Sequence, residues 1–170
     1  GNDTLDGGTG TDTLDFGSAT ASVTAELWRG TITNDGQGGV DSFSNIENLA
    51  GGAYNDYLYG NVGANLLIGQ GGNDRLYSYE GNDTLQGGAG NDTLDGGTGT
   101  DTLDFGSATA SVTAELWRGT ITNDGQGGVD TFSNIENLAG GAYNDYLYGN
   151  VGANLMMGQG GNDRIYSYEG

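Results

Sequence analysis

A fixed period of nine residues constrains this chain more than any other feature. Residues 51–104 divide without a break in phase into six units: GGAYNDYLY, GNVGANLLI, GQGGNDRLY, SYEGNDTLQ, GGAGNDTLD and GGTGTDTLD. In each unit six turn-forming residues precede three strand-like ones. The eighth place is always apolar, at Leu58, Leu67, Leu76, Leu85, Leu94 and Leu103. Side chains alternate along a strand, so the central residue of a three-residue strand points one way and its neighbours the other. One unit is then half a coil. Two units complete it, so that loops 18 residues apart stack on one edge while the leucines form an inward ladder. Periods of this kind mark solenoids, whose units bury a core only by stacking on one another. Glycine at the first, second and fourth loop places is expected to supply positive φ angles. Tyr54 occupies a fourth place and is expected to distort its loop.

A larger repeat contains the smaller one. Residues 1–81 reappear at 90–170, differing only at Ser42/Thr131, Leu67/Met156, Ile68/Met157 and Leu76/Ile165. The chain is thus read as a first module, 1–89, with an insertion at 16–50, and a second, 90–170, with an insertion at 105–139. No Pro- or Ser-rich linker separates them, so one continuous solenoid is expected. Each 35-residue insertion opens with a half-buried strand pattern, Val23, Ala25 and Leu27 alternating with Thr24, Glu26 and Trp28. Arg-Gly is a weaker hairpin turn than Asn-Gly or Asp-Gly, which favours a widened coil over a protruding hairpin. The second half re-enters the pattern: 36–44 reads GQGGVDSFS, with Asp41 in the sixth place and Phe43 in the eighth. A short turn at Asn45, Ile46 and Glu47 is expected to bring Asp41 beside Asp56, and Asp130 beside Asp145.

The units resemble the RTX family of calcium-binding nonapeptides, whose pattern is GGxGxDxUx with U apolar. The resemblance implies an all-β, right-handed parallel β-roll, a calcium-stapled β-solenoid interrupted here by two 35-residue insertions. The chemistry agrees. Net charge is −19, from 23 acidic residues against four arginines, with no His, Lys or Cys. Repulsion and glycine entropy oppose folding unless cations neutralise the chain. Calcium accepts six to eight oxygens in flexible geometry, which tight loops supply as carbonyls and carboxylates, whereas zinc lacks its usual ligands and magnesium demands stricter geometry. An isolated Asn-Asp turn needs no metal, but a phase-locked series on so acidic a chain points to one. EF-hand loops are absent from the sequence, and the sequon-like Asn-Asp-Thr strings are by-products of the repeat.

Stacking predicts the pairs Asp56/Asp74, Asp74/Asp92, Asn65/Asp83, Asp83/Asp101 and Asp145/Asp163, besides Asp41/Asp56 and Asp130/Asp145, or about seven calcium ions. The carbonyl-bearing glycines assigned to these sites are Gly51, Gly69, Gly71, Gly72, Gly87, Gly88, Gly90, Gly96, Gly97, Gly99, Gly158, Gly160 and Gly161.

The acidic field makes nucleic acid a poor partner, and no membrane-inserting run exists in the sequence. Without His, Lys or Cys a serine has no conventional base, so no enzyme is expected. The resemblance implies a structural region of a larger secreted or cell-surface bacterial protein, exported unfolded by type I secretion and folded by extracellular calcium. A chain that begins and ends inside a nonapeptide is expected to be part of such a longer protein. The alternative is an adhesive module contacting a glycan or surface through Tyr59, Tyr77, Trp28 and Trp117. Ice binding is poorly supported, because outward residues in register change from Tyr/Tyr to Arg/Tyr to Thr/Asp.

Overall fold

The strand-like triplets of the repeat are strands, three residues each, in a computed structural model that describes residues 1–168. Alternation sets their burial. Leu58, Leu67, Leu76 and Leu85 are 0 % exposed and Leu94 and Leu103 2 %, while their strand neighbours stay at the surface. A fully buried leucine contributes roughly 1.5–3 kcal/mol, and the ladder is the main apolar resource of a chain so rich in glycine. Register follows the 18-residue coil: Leu58 pairs with Leu76 and Leu76 with Leu94 in one sheet, Leu67 with Leu85 and Leu85 with Leu103 in the other. The result is an all-β parallel β-roll built on two main sheets of nine and seven strands, with a three-stranded sheet, Thr113–Glu115, Tyr146–Tyr148 and Arg164–Tyr166, in the second module and a two-stranded one formed by Glu80–Gly81 and Thr98–Gly99.

The second sheet is simple. Its strands run in the order Thr13–Asp15, Asn48–Ala50, Leu66–Ile68, Thr84–Gln86, Thr102–Asp104, Asn137–Ala139 and Met156–Met157, every pair parallel. Both sheets cross from the first 89-residue module into the second without a break, since Thr102–Asp104 pairs with Asn137–Ala139 and Thr93–Asp95 with Asp130–Ser133.

The first sheet differs, and it corrects the expected path of the insertion. Between Asp41–Ser44 and Tyr57–Tyr59 lie two further strands, Thr31–Asn34 and Thr24–Glu26. They form an antiparallel hairpin whose first strand pairs parallel with Tyr57–Tyr59 and whose second pairs antiparallel with Asp41–Ser44. The insertion is neither a widened coil nor a protrusion but a hairpin built into the sheet. Gly30, at φ 65°, makes the turn, helped by the Arg29 and Gly30 amides donating to the Glu26 carbonyl. Val23 and Ala25 are fully buried and Leu27 nearly so, as their alternation predicts.

Candidate metal centre

The loops fall into two conformations that the sequence pattern does not distinguish. In the loops starting at residues 69, 78, 87 and 96, the second place has positive φ, at Gln70, Tyr79, Gly88 and Gly97, and so does the fourth, at Gly72, Gly81, Gly90 and Gly99. The loops starting at 51 and 60 have positive φ at neither place. Tyr54 thus avoids the strained region, as its bulk requires, and its whole loop turns differently. Of the first-place glycines, Gly36 and Gly125 in the insertions have positive φ, at 72° and 77°, and those outside the insertions have none. They are required for close approach: a methyl group built on Gly69, Gly87 or Gly96 would overlap the sixth-place carboxylate of its own loop, Asp74, Asp92 or Asp101.

Sixth-place residues form the expected ladders. The amide of Asp56 donates to Asp74 Oδ1 at 2.8 Å and that of Asp74 to Asp92 Oδ1 at 2.8 Å. On the opposite edge Asn65 donates to Asp83 and Asp83 to Asp101, both at 2.8 Å, and in the second module Asp145 donates to Asp163 at 2.9 Å. Asp41 does not stand beside Asp56, nor Asp130 beside Asp145. The hairpin occupies that place, so Val23 and Val112 donate to Asp56 and Asp145 instead. Asp41 accepts from Asp3 at 2.7 Å and Asp130 from Asp92 at 2.9 Å. Sequence reasoning also missed Glu47 and Glu136 of the short turn, which accept from Asp12 and Asp101 at 2.9 Å and extend the second ladder.

What these carboxylates lack is a partner for their second oxygen. Oδ2 of Asp12, Asp74, Asp83, Asp92 and Asp101 is buried with no hydrogen-bond donor. A buried carboxylate oxygen without a donor is costly, and the group must bind a proton or a cation to remain in place. Burial, with repulsion from Asp92 and Asp56, pushes the Asp74 carboxyl up to about 8. Burial likewise raises Asp130 to about 7 and Asp92 and Asp101 to about 6. The arginines do not relieve this charge. Arg29 and Arg118 pair with Glu26 and Glu115 and lie over Trp28 and Trp117, while Arg75 and Arg164 lie over Tyr57 and Tyr146 on the outer face.

Two loops are closed differently. Asp56 Oδ2 accepts from Gly52 of its own loop at 2.6 Å, and Asn65 Oδ1 from Asn61 at 2.8 Å, leaving neither short of a donor. Asp145 and Asn154 repeat this closure with Gly141 and Asn150. Among the described residues no three acidic side chains converge as a ready-made cage. The donor set is therefore one or two carboxylates with backbone carbonyls, hard oxygens throughout, which fits calcium.

Family comparison agrees with that geometry. The RTX calcium-binding nonapeptide repeat matches four times, at residues 1–19, 41–76, 77–108 and 124–165, well over half of the chain. The chain belongs to the RTX calcium-binding nonapeptide repeat family. The two segments between RTX matches that are left out, 20–40 and 109–123, hold the hairpin strands. Comparison with individual curated proteins returns no match. RTX repeats of this kind are calcium-binding structural units, and this chain carries them in tandem.

Proposed function

We propose that this RTX chain is a structural spacer, one continuous solenoid of two modules, 1–89 and 90–170, that folds when extracellular calcium reaches it and belongs to a larger secreted or surface-displayed bacterial protein. The observation carrying this reading is the set of buried, unpartnered carboxylate oxygens on a chain whose arginines all lie elsewhere. Asp12, Asp74, Asp83, Asp92 and Asp101, with the carbonyls of their glycine loops, are the groups that would each hold an ion. Asp56, Asn65, Asp145 and Asn154 close their loops with protein donors and are assigned none of their own, so the expected count of about seven is redistributed.

Calcium bound there supplies the positive charge and oxygen coordination that the chain lacks. The residues do the rest: the glycines let carboxylate and neighbouring coil approach, the Oδ1 ladder fixes each carboxylate, and the leucines exclude water. Extracellular modules bind calcium at about 10⁻⁴–10⁻³ M, so a low-calcium cytosol leaves the chain unfolded and ready for export by the type I route. No group in this arrangement is set up for catalysis. Far-ultraviolet circular dichroism tests the reading: the chain is expected to be disordered in chelator and to gain β structure cooperatively in millimolar calcium. A compact, fully folded chain in chelator refutes it.

A second reading, contact with a glycan or surface, is favoured by one repeated feature. Trp28, Val62 and Tyr79 line an open groove of about 600 Å³ with Asn61, Glu80 and Thr98 at its polar edge. Trp117, Val151 and Tyr168 line its counterpart, of about 380 Å³, in the second module. Aromatic faces with polar rims suit sugar rings. Loss of glycan-array binding in a Trp28→Ala/Trp117→Ala variant, with folding intact, would support display. Absence of binding by the parent chain leaves the spacer reading alone.

A further inference from the structure

The insertion carries an acidic residue that the nonapeptide pattern does not place in a site. Asp124, like Asp35 one module earlier, precedes a GQGGVD loop and so holds a ninth place. Elsewhere the ninth-place acid is a surface turn former. Asp95 is half-buried, and its Oδ1 accepts from the Gly97 amide at 3.2 Å and from Asn134 Nδ2 at 2.7 Å. Asp124 makes the same kind of turn, accepting through Oδ1 from Gln126 at 3.0 Å and Gly127 at 2.8 Å. It is nevertheless only 3 % exposed, and its Oδ2 is buried with no donor. Asp124 follows the hairpin strand Thr120–Ile121, and its carboxyl lies over the coil that carries Gly87 and Gly88.

What it faces is a small, partly enclosed cavity. About 10 Å³ in volume, it has room for the centre of one ion or water. Asp124, Asp130, Gly87 and Gly88 form part of its wall, above Leu103 and Ile121. Asp130 is itself 3 % exposed and stacks on Asp92, whose Oδ2 is also unpartnered. The first module does not repeat this arrangement: Asp35 is half-buried, accepts through Oδ1 from Gln37 at 2.8 Å and Gly38 at 2.7 Å, and with Asp41, Leu14 and Ile32 lines an open pocket of about 160 Å³.

The geometry points to a further cation site, in which Asp124 and Asp130 hold one calcium ion in the cavity where the insertion rejoins the roll. The inference rests on the calcium reading above. It gives the hairpin a role: its end carries the carboxylate that completes a site which Asp130 cannot make with Asp145. Calcium coordination at this point fastens the inserted strands to the coil beneath them.

Equilibrium dialysis with calcium alone counts the ions. The full chain, Asp124→Asn and the control Asp95→Asn are compared at saturation. Asparagine keeps the Oδ1 acceptor that the turn needs. One ion fewer is expected for Asp124→Asn and none fewer for Asp95→Asn. An unchanged count in Asp124→Asn, with the parent chain binding calcium, overturns this inference and leaves the proposed function standing. A parent chain that binds no calcium overturns both. Should the variants fail to fold, anomalous diffraction from calcium-loaded crystals of the parent decides: a calcium peak between Asp124 and Asp130 supports the site, and a water or an empty cavity refutes it.

Discussion

Replacing Asp74 by asparagine is expected to change stability in opposite directions with and without calcium. Asp74 sits mid-ladder, 1 % exposed, with Oδ1 bonded to the Asp56 amide and Oδ2 unpartnered. Its carboxyl is pushed from 3.8 up to about 8 by burial first and by the neighbouring carboxylates Asp92 and Asp56 after it. Each pKa unit is worth about 1.4 kcal/mol, so at pH 7.5 this group costs the calcium-free fold on the order of 5 kcal/mol. Asparagine removes the charge and keeps an oxygen for the Asp56 amide. Asn65 shows that an amide fits a sixth place, its nitrogen donating to the Glu47 carbonyl at 2.8 Å. In chelator, Asp74→Asn should therefore fold at a lower concentration of protecting osmolyte than the parent, by an amount equivalent to several kcal/mol. In calcium it should require more ion to fold, having lost a ligand. Acid gives the same sign. An acid whose pKa is higher in the folded state binds protons on folding, so the parent's calcium-free stability should fall as pH rises from about 4 to about 8, and less steeply in Asp74→Asn. Circular dichroism across the osmolyte, calcium and pH series reads all three. A variant less folded than the parent in chelator would refute the view of Asp74 as an uncompensated charge.

Asp56→Ala should behave differently, because both of its oxygens already have protein donors. It is expected to cost about 1–3 kcal/mol through the stranded Gly52 and Val23 amides, equally in calcium and in osmolyte-supported chelator, and a loss confined to calcium would contradict the self-closed loop. Gly90→Ala places a side chain at φ 133° against the Gly72 carbonyl, so it should cost more than roughly 1–3 kcal/mol and raise the calcium midpoint, whereas an unchanged midpoint would mean the loop relaxes freely. Leu94→Ala, between Leu76 and Phe132 in the ladder, should lose about 2–5 kcal/mol in calcium by thermal melting, and a loss below 1 kcal/mol would show the core collapses to fill the gap.

The period carried most of the fold. Once Leu58 to Leu103 recur every nine residues, strand alternation and stacking fix which side chains are buried and which coils pair, and the ladder from Asp56 through Asp74 to Asp92 follows. Where the reading failed, a long-range competitor was involved. The neighbourhood of Asp41 was inferred from residues 36–56 alone, but the place beside Asp56 is taken by Val23, which arrives from earlier in the chain. The signal for a hairpin was present in Val23, Ala25 and Leu27, a glycine, and then Thr31-Ile32-Thr33, and the weak Arg-Gly turn obscured it. The two loop conformations were not legible from glycine positions either. Gly63 stands in a fourth place yet has no positive φ, as Tyr54 has none in the loop before it, and in its loop Asn65 Nδ2 donates to the Glu47 carbonyl while Oδ1 accepts from the Asn61 amide. Asp124 escaped because its burial depends on the hairpin end packing over the coil that carries Gly87 and Gly88, a contact that the nonapeptide pattern does not encode.

The hairpins also act on the axis of the roll. In the first module the hairpin adds two strands, Thr24–Glu26 and Thr31–Asn34, to one sheet and none to the other, and strands lie about 4.8 Å apart, so that face gains roughly 10 Å over the face opposite. Two walls of unequal length cannot run straight side by side. The hairpin-bearing wall is expected to form the outside of a bend, as the longer metal does in a bimetallic strip. Further modules joined in the same register would turn the same way, sweeping an arc whose ends lie closer together than the number of coils implies.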